Sequence, residues 1–413
     1  MTYAEAIAFW YGRINYEVRS AGPSDLKLER MRALLKALGD PHDRVRLVHV
    51  TGTKGKGSTC AMIASALRAA GLRVGLFTSP HLEHVEERVR VNGVPISHAE
   101  LAARMDEIAP VVLEMERSQY PAPTFFEIGT ALGFLHFCRR RCDVAVVEVG
   151  LGGRFDSTNV CRPLVSVVTN VGFDHVAQLG NTLEAIAFQK AGIIKRRVPV
   201  VSGVTQAGPR EVVRAIARTV GAPLVEPDTT ACPFPTNLLG RHQVANAAVA
   251  VAALRCLGDT GMSLPPAAVA RGLANVEWPC RVEKVADRPV VILDTAHNVP
   301  SAEALVATLR ESFPVAGRKR VVFGVSSDKP HADILRVLAG YFDHFHLCRY
   351  GNNPRSVPPE KLAAEVPEGR FTVHATSGEA WAAARAAAGA DDLVCVTGSV
   401  FLAGELRGVV APS

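Results

Sequence analysis

The chain has 413 residues, nine cysteines and a formal net charge of +6. That length allows two or three domains, and the small positive excess suits anionic small-molecule substrates. No basic run with interleaved aromatics argues for nucleic acid, and no apolar run approaches the ~20 residues of a membrane span. The cysteines are scattered. Cys138 and Cys142 lie near His136, but no second cluster completes a metal site, so free buried thiols are expected. That usage, with no signal peptide, predicts a cytoplasmic protein.

In chain order, residues 1–13 read as an amphipathic helix. An apolar run over 45–50 reads as a buried strand and enters VTGTKGKGST, residues 50–59. A helical pattern leaves it, with Ile63, Ala66, Leu67 and Ala70 at helix-face spacing and Gly71 as the stop. Strand, Gly-rich turn and helix together make a phosphate cradle. Gly52, Gly55 and Gly57 let backbone N–H groups close around an anion, the helix N-terminus adds partial charge, and Lys56 adds a full one. The common phosphate-loop pattern is matched incompletely, since Val50 stands at its first Gly and Gly57 separates Lys56 from Ser58.

Strands expected at 47–51, 74–78, 144–149, 164–170 and 199–202 alternate with Ala/Leu-rich helical stretches. That rhythm predicts an α/β fold with a mostly parallel sheet covered by helices on both faces. Residues 79–120 differ, with charged stretches and an exposed hairpin around 89–96 that turns at Asn92-Gly93. The strand at 144–149 carries Glu148 near its C-terminal end, where open α/β sheets gather ligands. A carboxylate beside a phosphate loop is the usual holder of magnesium on a nucleotide. The neighbouring strand ends in Asp174-His175, a second candidate ligand pair.

A helix starting near Asn181, with Glu184 as capping partner, puts Leu183, Ile186, Ala187 and Lys190 on one face. A lysine pointing inward is costly unless paired, neutralised or modified. The pattern alone favours a lysine that snorkels out past Gly192.

A helix over 241–257 closes the first unit, and a boundary falls near 275–289. A second alternating series follows, with strands at 290–293, 320–324, 345–347, 371–373 and 393–397. The expected division is a P-loop-type ATPase domain over 1–284 and a smaller Rossmann-like α/β domain over 285–413. Asp294 and His297 end the first of these later strands, Pro300 opens a helix, and Arg281 lies in the linker. These residues either meet a ligand held between the domains or cap a helix.

With these segments in hand, the chain closely resembles the folylpolyglutamate synthase/dihydrofolate synthase family of the Mur ligase superfamily. The motifs are TGTKGKGST (51–59), TSPHL (78–82), ERVRVNG (87–93), PTFFEIGT (123–130), VEVGLGGRFDSTN (147–159), Asp174-His175 and FQKAGIIK (188–195). GRHQVANAA (240–248), WPCRVE (278–283), DTAHN (294–298) and TGSVFLAGE (397–405) continue the order. The resemblance implies an ATP-dependent ligase that joins L-glutamate to dihydropteroate, to a reduced folate, or to both, through an acyl phosphate. It implies small-molecule partners only and a monomer, with ATP and one or two Mg2+ ions as cofactors.

Residue by residue, the resemblance gives the phosphates to Gly52, Thr53, Lys54, Gly55, Lys56, Gly57, Ser58 and Thr59. It gives metal to Ser79, Glu148 and His175, a carbamate to Lys190, and nucleotide contacts to Asn246, Arg281, Asp294 and His297. Arg88 falls on a mobile substrate loop, and Thr124, Phe126, Asp156 and Ser157 fall on the pterin side. Three positions depart: Cys280 and Thr295 stand where Gly is common, and Gln189 where Glu is common. LGGRFDSTN looks more like the bacterial bifunctional type.

Two rivals remain open, a Mur-type ligase acting on another carboxylate, such as a cell-wall nucleotide precursor, and a nucleotide-binding module that ligates nothing. The first usually carries an extra N-terminal domain, for which the ~50 residues before the loop leave no room. Lys56, Glu148, His175 and Lys190 together argue against the second.

Overall fold

The computed structural model describes residues 1–15, 27–117, 121–351 and 353–411. They form two compact units: Met1–Pro80 with Glu86–Asn237 and Gln243–Glu277, and His81–Val85 with Leu238–His242 and Trp278–Ser413.

The first unit is built on eight strands: β1 Leu47–Thr51, β2 Val74–Phe77, β3 Val89–Val91, β4 Val94–Pro95, β5 Val144–Glu148, β6 Val165–Val168, β7 Val200–Ser202 and β8 Leu224–Val225. Their order is β4-β3-β2-β5-β1-β6-β7-β8. From β2 to β8 all pairs are parallel, and β3 and β4 add an antiparallel hairpin. The central strands β1 and β5 are buried along their whole length, which explains why they read as unbroken apolar runs. The hairpin was expected to be exposed. Val89 and Val91 instead lie in the core, and only β4 faces out.

Residues 79–120 also hold a helix that charge patterning obscured. His98–Glu116 is capped by Ser97 and Glu100, and Leu101, Met105, Ile108, Val112 and Met115 fill its inner face. Residues 118–120 of that stretch lie outside the described residues. The N-terminal helix runs Tyr3–Tyr11, and its Trp10 donates Nε1–H to the Phe125 carbonyl at 2.8 Å. The helix after the Gly-rich turn, Lys56–Ala69, is not amphipathic as its spacing suggested. Every residue from Ser58 to Leu67 is buried, because the helix Pro266–Ala274 packs against it on a side the sheet leaves open.

The second unit has six strands: β9 Glu283–Asp287, β10 Val290–Leu293, β11 Lys319–Phe323, β12 His344–Leu347, β13 Phe371–Val373 and β14 Leu393–Thr397. They run in the order β13-β12-β11-β14-β10-β9. All pairs are parallel except β9 on β10. β9 falls inside the stretch expected to be linker. Its alternation is only half-buried, as suits an antiparallel edge strand, so no apolar run announced it.

Candidate functional site

The turn after β1 is shaped by two glycines. Gly52 (φ 155°) and Gly55 (φ 77°) take backbone conformations that side chains rarely adopt. A Cβ on Gly52 would strike Thr169, and one on Gly55 would strike the Asn246 carboxamide. The end of β6 fixes the turn from beside it. Thr53 N–H donates to the Asn170 carbonyl (3.1 Å), Lys54 N–H to Asn170 Oδ1 (2.9 Å), and Thr169 Oγ1 to the Lys54 carbonyl (2.6 Å).

Gly55 then caps the helix with no side-chain acceptor, so the first-turn N–H groups are left for an incoming anion. Lys56 folds back, with Nζ 3.2 Å from the Gly52 carbonyl. Ser58 accepts from Gln243 Nε2 at 3.4 Å, and Gln243 Oε1 accepts from Asn246 Nδ2 at 3.0 Å. Thr59 Oγ1 is fully buried with no hydrogen-bond partner among the described residues. Asn170 and Gln243 did not stand out in the sequence. Gln243 lies three residues before Asn246 on one helix, which is the one signal that pointed to it.

Glu148 ends β5, paired in register with Val50 beside the turn. It is buried, and its Oε2 accepts Ser79 N–H at 3.1 Å. A buried carboxylate at that strand end, hydrogen-bonded to the backbone of a serine, brings oxygen-donor residues of the kind a hard divalent cation takes. His175 takes a left-handed φ of 49° ahead of the short helix Val176–Leu179, and its imidazole is half-exposed. Asp174 is not simply paired with it for ligation. Asp174 Oδ2 accepts from Lys54 Nζ at 2.9 Å, and its other oxygen lies 3.7 Å from His175 Nε2.

The helix carrying Lys190 runs Leu183–Lys190. Its N-cap is Thr182, which accepts from Ala185 N–H, so neither Asn181 nor Glu184 forms the cap. Lys190 does not snorkel: only 3% of it is exposed, and it sits between Ala187 and Ala191 of a buried apolar cluster. Burial first, then Lys56 and Lys54, pushes its ammonium down to about 7, against the pull of Asp174. Three lysines and one aspartate therefore act on one another around this turn.

The residues expected on the pterin side, and Arg88, lie in the same unit. Phe126 lies against Gly150, where a Cβ would meet its ring, and edge-on to Phe77 with centroids 6.1 Å apart. Arg88 ends the 3-10 turn Val85–Arg88. It is buried, with its guanidinium 5.2 Å from the Phe125 ring centre. Thr124 and Asp156 spend their polar atoms internally. Thr124 caps the helix Phe125–Arg139 through a reciprocal pair with Glu127. Asp156 accepts from the backbone of Leu151 (2.9 Å) and Thr158 (3.0 Å) and from Thr158 Oγ1, which also meets His49 Nε2 at 2.8 Å. Ser157, half-buried, opens the 3-10 turn Ser157–Val160.

In the second unit, Asp294 is buried and accepts from Val282 N–H (3.1 Å) and Ala296 N–H (2.7 Å). Burial raises its carboxyl pKa, and Arg281 works against that. His297 Nδ1 lies 2.8 Å from the Thr295 carbonyl, which places a proton on Nδ1. The helix Val299–Ser312 is capped by Asn298, so neither Asp294 nor His297 is its cap. Cys280 (φ 56°) and Val282 (φ 50°) both adopt the left-handed region, where glycine is the ordinary residue.

Two domain profiles match the chain: Mur ligase middle domain over residues 50–207, and Mur ligase glutamate ligase domain over 280–400. With the uncapped turn, they define the class as an ATP-dependent ligase of the two-domain Mur type. The chain is 34% identical over 438 aligned positions to the dihydrofolate synthase/folylpolyglutamate synthase of Bacillus subtilis, covering 98% of each. A structure described as E. coli FolC in complex with DHPP and ADP superposes with a TM-score of 0.86 at 31% identity, over 99% of this chain and 98% of that one. Mycobacterium tuberculosis folylpolyglutamate synthase complexed with ADP gives 0.88 at 31%, over 100% and 98%. The chain belongs to the folylpolyglutamate synthase/dihydrofolate synthase family.

Proposed function

We propose that this chain joins L-glutamate to the carboxylate of dihydropteroate, of a reduced folate, or of both. The observation that carries the reading is the uncapped helix N-terminus at Gly55, with Lys56 folded back over the turn, Glu148 buried at the adjacent strand end, and Lys56 acting on the buried Lys190. The E. coli relative holds DHPP and ADP, which supports an acceptor and a nucleotide of these kinds here.

A carboxylate resists amine attack because it has no leaving group. Transfer of the ATP γ-phosphoryl group to a carboxylate oxygen breaks the bond to ADP and makes an acyl phosphate. The glutamate amine then attacks the carbonyl carbon and loses a proton. The C–O bond breaks, and phosphate leaves with an oxygen that began in the acceptor. First-turn N–H groups and Lys56 hold and neutralise the phosphates, and Thr53, Lys54 and Asn170 keep the turn in shape. Glu148, Ser79 and His175 would hold Mg2+, which supplies charge neutralisation on the phosphates when bound.

Lys190, with its pKa near 7, keeps a large neutral fraction at physiological pH. That amine adds to dissolved CO2, forming an N–C bond and releasing a proton. The resulting carbamate replaces a buried cation with an anion among Lys54 and Lys56. Phe126 is assigned to the pterin and Arg88 to the substrates as a catalytic group, whereas Thr124 and Asp156 act by holding the segments that present Phe126 and Ser157. In the second unit Arg281, Asp294 and His297, and in the first Asn246, are assigned to the nucleotide. Nine free thiols support a reducing, cytoplasmic setting, and the enzyme is expected to act as a monomer. No helix among the described residues is long and apolar enough to cross a membrane.

The test is ADP release from purified protein with ATP, magnesium, L-glutamate and each pterin acceptor. Release with either acceptor supports the reading. Silence with both, while ATP still binds, defeats the folate assignment.

A further inference from the structure

One edge of the second sheet carries three imidazoles that the ligase reading leaves unused. His344 and His346 alternate along β12, and His374 follows β13 directly. Parallel pairing sets His346 beside Thr372, and their side chains meet. Thr372 Oγ1 lies 3.1 Å from His346 Nδ1, 2.9 Å from His374 Nε2 and 3.4 Å from His344 Nε2. The two nitrogens, His346 Nδ1 and His374 Nε2, stand 3.3 Å apart. A threonine hydroxyl has a single hydrogen, so it donates to only one of these rings. Two nitrogen ligands on one tetrahedral zinc ion, each about 2.0–2.1 Å from it, stand about 3.3 Å from each other.

We propose that His346 Nδ1 and His374 Nε2 bind one late first-row divalent cation, with Zn2+ as the reference ion and His344 swinging in as a third donor. Imidazole nitrogens suit Zn2+, Ni2+ and Cu2+, whereas they are poor ligands for Mg2+. The donors are in ligand form at neutral pH. Burial lowers all three pKa values, that of His346 to about 3, and the neighbouring histidines and Arg320 and Arg318 add to the effect.

The surroundings tolerate a dication. Arg320 is drawn off by Asp392 at 3.5 Å, and Glu379 contributes negative potential at His374. His346 Nε2 is buried without a hydrogen-bond partner among the described residues, so placing its proton there to free Nδ1 leaves no further atom unpaired. Thr372 is exposed and His374 half-buried, which gives an ion a way in from solvent. The bound ion would clasp the edge strand β13 to β12.

The experiment uses the full chain without an affinity tag, in excess magnesium and without nucleotide, because ATP phosphates would themselves chelate Zn2+ and Co2+. Zn2+ is titrated calorimetrically, Co2+ is followed by its visible absorption, and thermal unfolding is recorded with each. One ion per chain, a tetrahedral Co2+ spectrum and a raised Tm are expected. His374→Ala and His344→Ala should each weaken binding about tenfold or more and remove the Tm shift, because losing a ligand costs at least as much as losing a supporting group. Ligase turnover in both variants should be unchanged, which also shows that they fold. Absence of a stoichiometric site, or equal affinity in the parent and both variants, would overturn the proposal.

Discussion

After β1 the chain leaves its helix N-terminus without a side-chain cap and brings lysines around it. After β10 it caps its helix with Asn298 and uses Asp294 to bind two of its own backbone N–H groups. The first turn is incomplete without an anion, and its buried Lys190 is under electrostatic stress. The second is satisfied as it stands. Groups that bear charge demands they cannot meet themselves are where binding energy is to be gained, so perturbing the first turn should affect chemistry far more than perturbing the second.

The largest effect is expected from Lys56→Ala. Loss of a preorganised cation at the phosphates should lower turnover by roughly 10²–10³-fold, measured as acceptor-dependent ADP release. Full turnover would put the phosphate site elsewhere.

Lys190→Met separates stability from activity. Turnover should fall by a comparable factor, while the pH dependence of stability changes in a defined direction. The folded pKa is depressed to about 7 from 10.5, so the unfolded chain binds more protons between those values. Stability of the parent protein, in CO2-free buffer, should therefore rise with pH across that window, by at most about 1.4 kcal/mol per unit. Below pH 7 the penalty of the buried cation is fully present, and above 10.5 it is gone. The Met variant should show a flatter profile in urea titrations, and an unchanged slope would mean that Lys190 is not the source. Separately, 13C-labelled bicarbonate should give a carbamate NMR signal in the parent that the variant lacks.

Gly55→Ala is expected to act next. It forces a Cβ into the Asn246 carboxamide at a φ of 77°, which costs on the order of 1–3 kcal/mol, to be read as weaker ADP binding by calorimetry. Cys280→Gly should do least. Relief of the left-handed backbone offsets the lost burial of one thiol, so thermal stability should shift by less than about 1 kcal/mol. A large loss there would mean that the thiol matters for more than packing.

The contrast between the turns was only partly legible in the sequence. The bounds of β1, β10, β13 and β14 read off directly, because each is an apolar run between turn residues. The helix His98–Glu116 and strand β9 were missed, since charge patterning and linker prolines outweighed a half-buried periodicity. Helical spacing put Lys190 on the inner face, yet spacing cannot tell a snorkelling lysine from an enclosed one. That depends on residues distant in the chain, such as Val168, Val200 and Val213, which form one buried cluster with its helix neighbours Ala187 and Ala191. Likewise, Asp174 could not be seen to serve Lys54, which is 120 positions away and meets it through the neighbouring strand ends of the parallel sheet.

The most direct test follows oxygen. Dihydropteroate or tetrahydrofolate, whichever is accepted, is labelled with 18O in the carboxylate that receives glutamate. It is turned over with unlabelled ATP and water, and the inorganic phosphate is analysed by mass. Activation by phosphoryl transfer predicts one 18O in each phosphate released with product. Phosphate free of label, alongside labelled amide product, would contradict it.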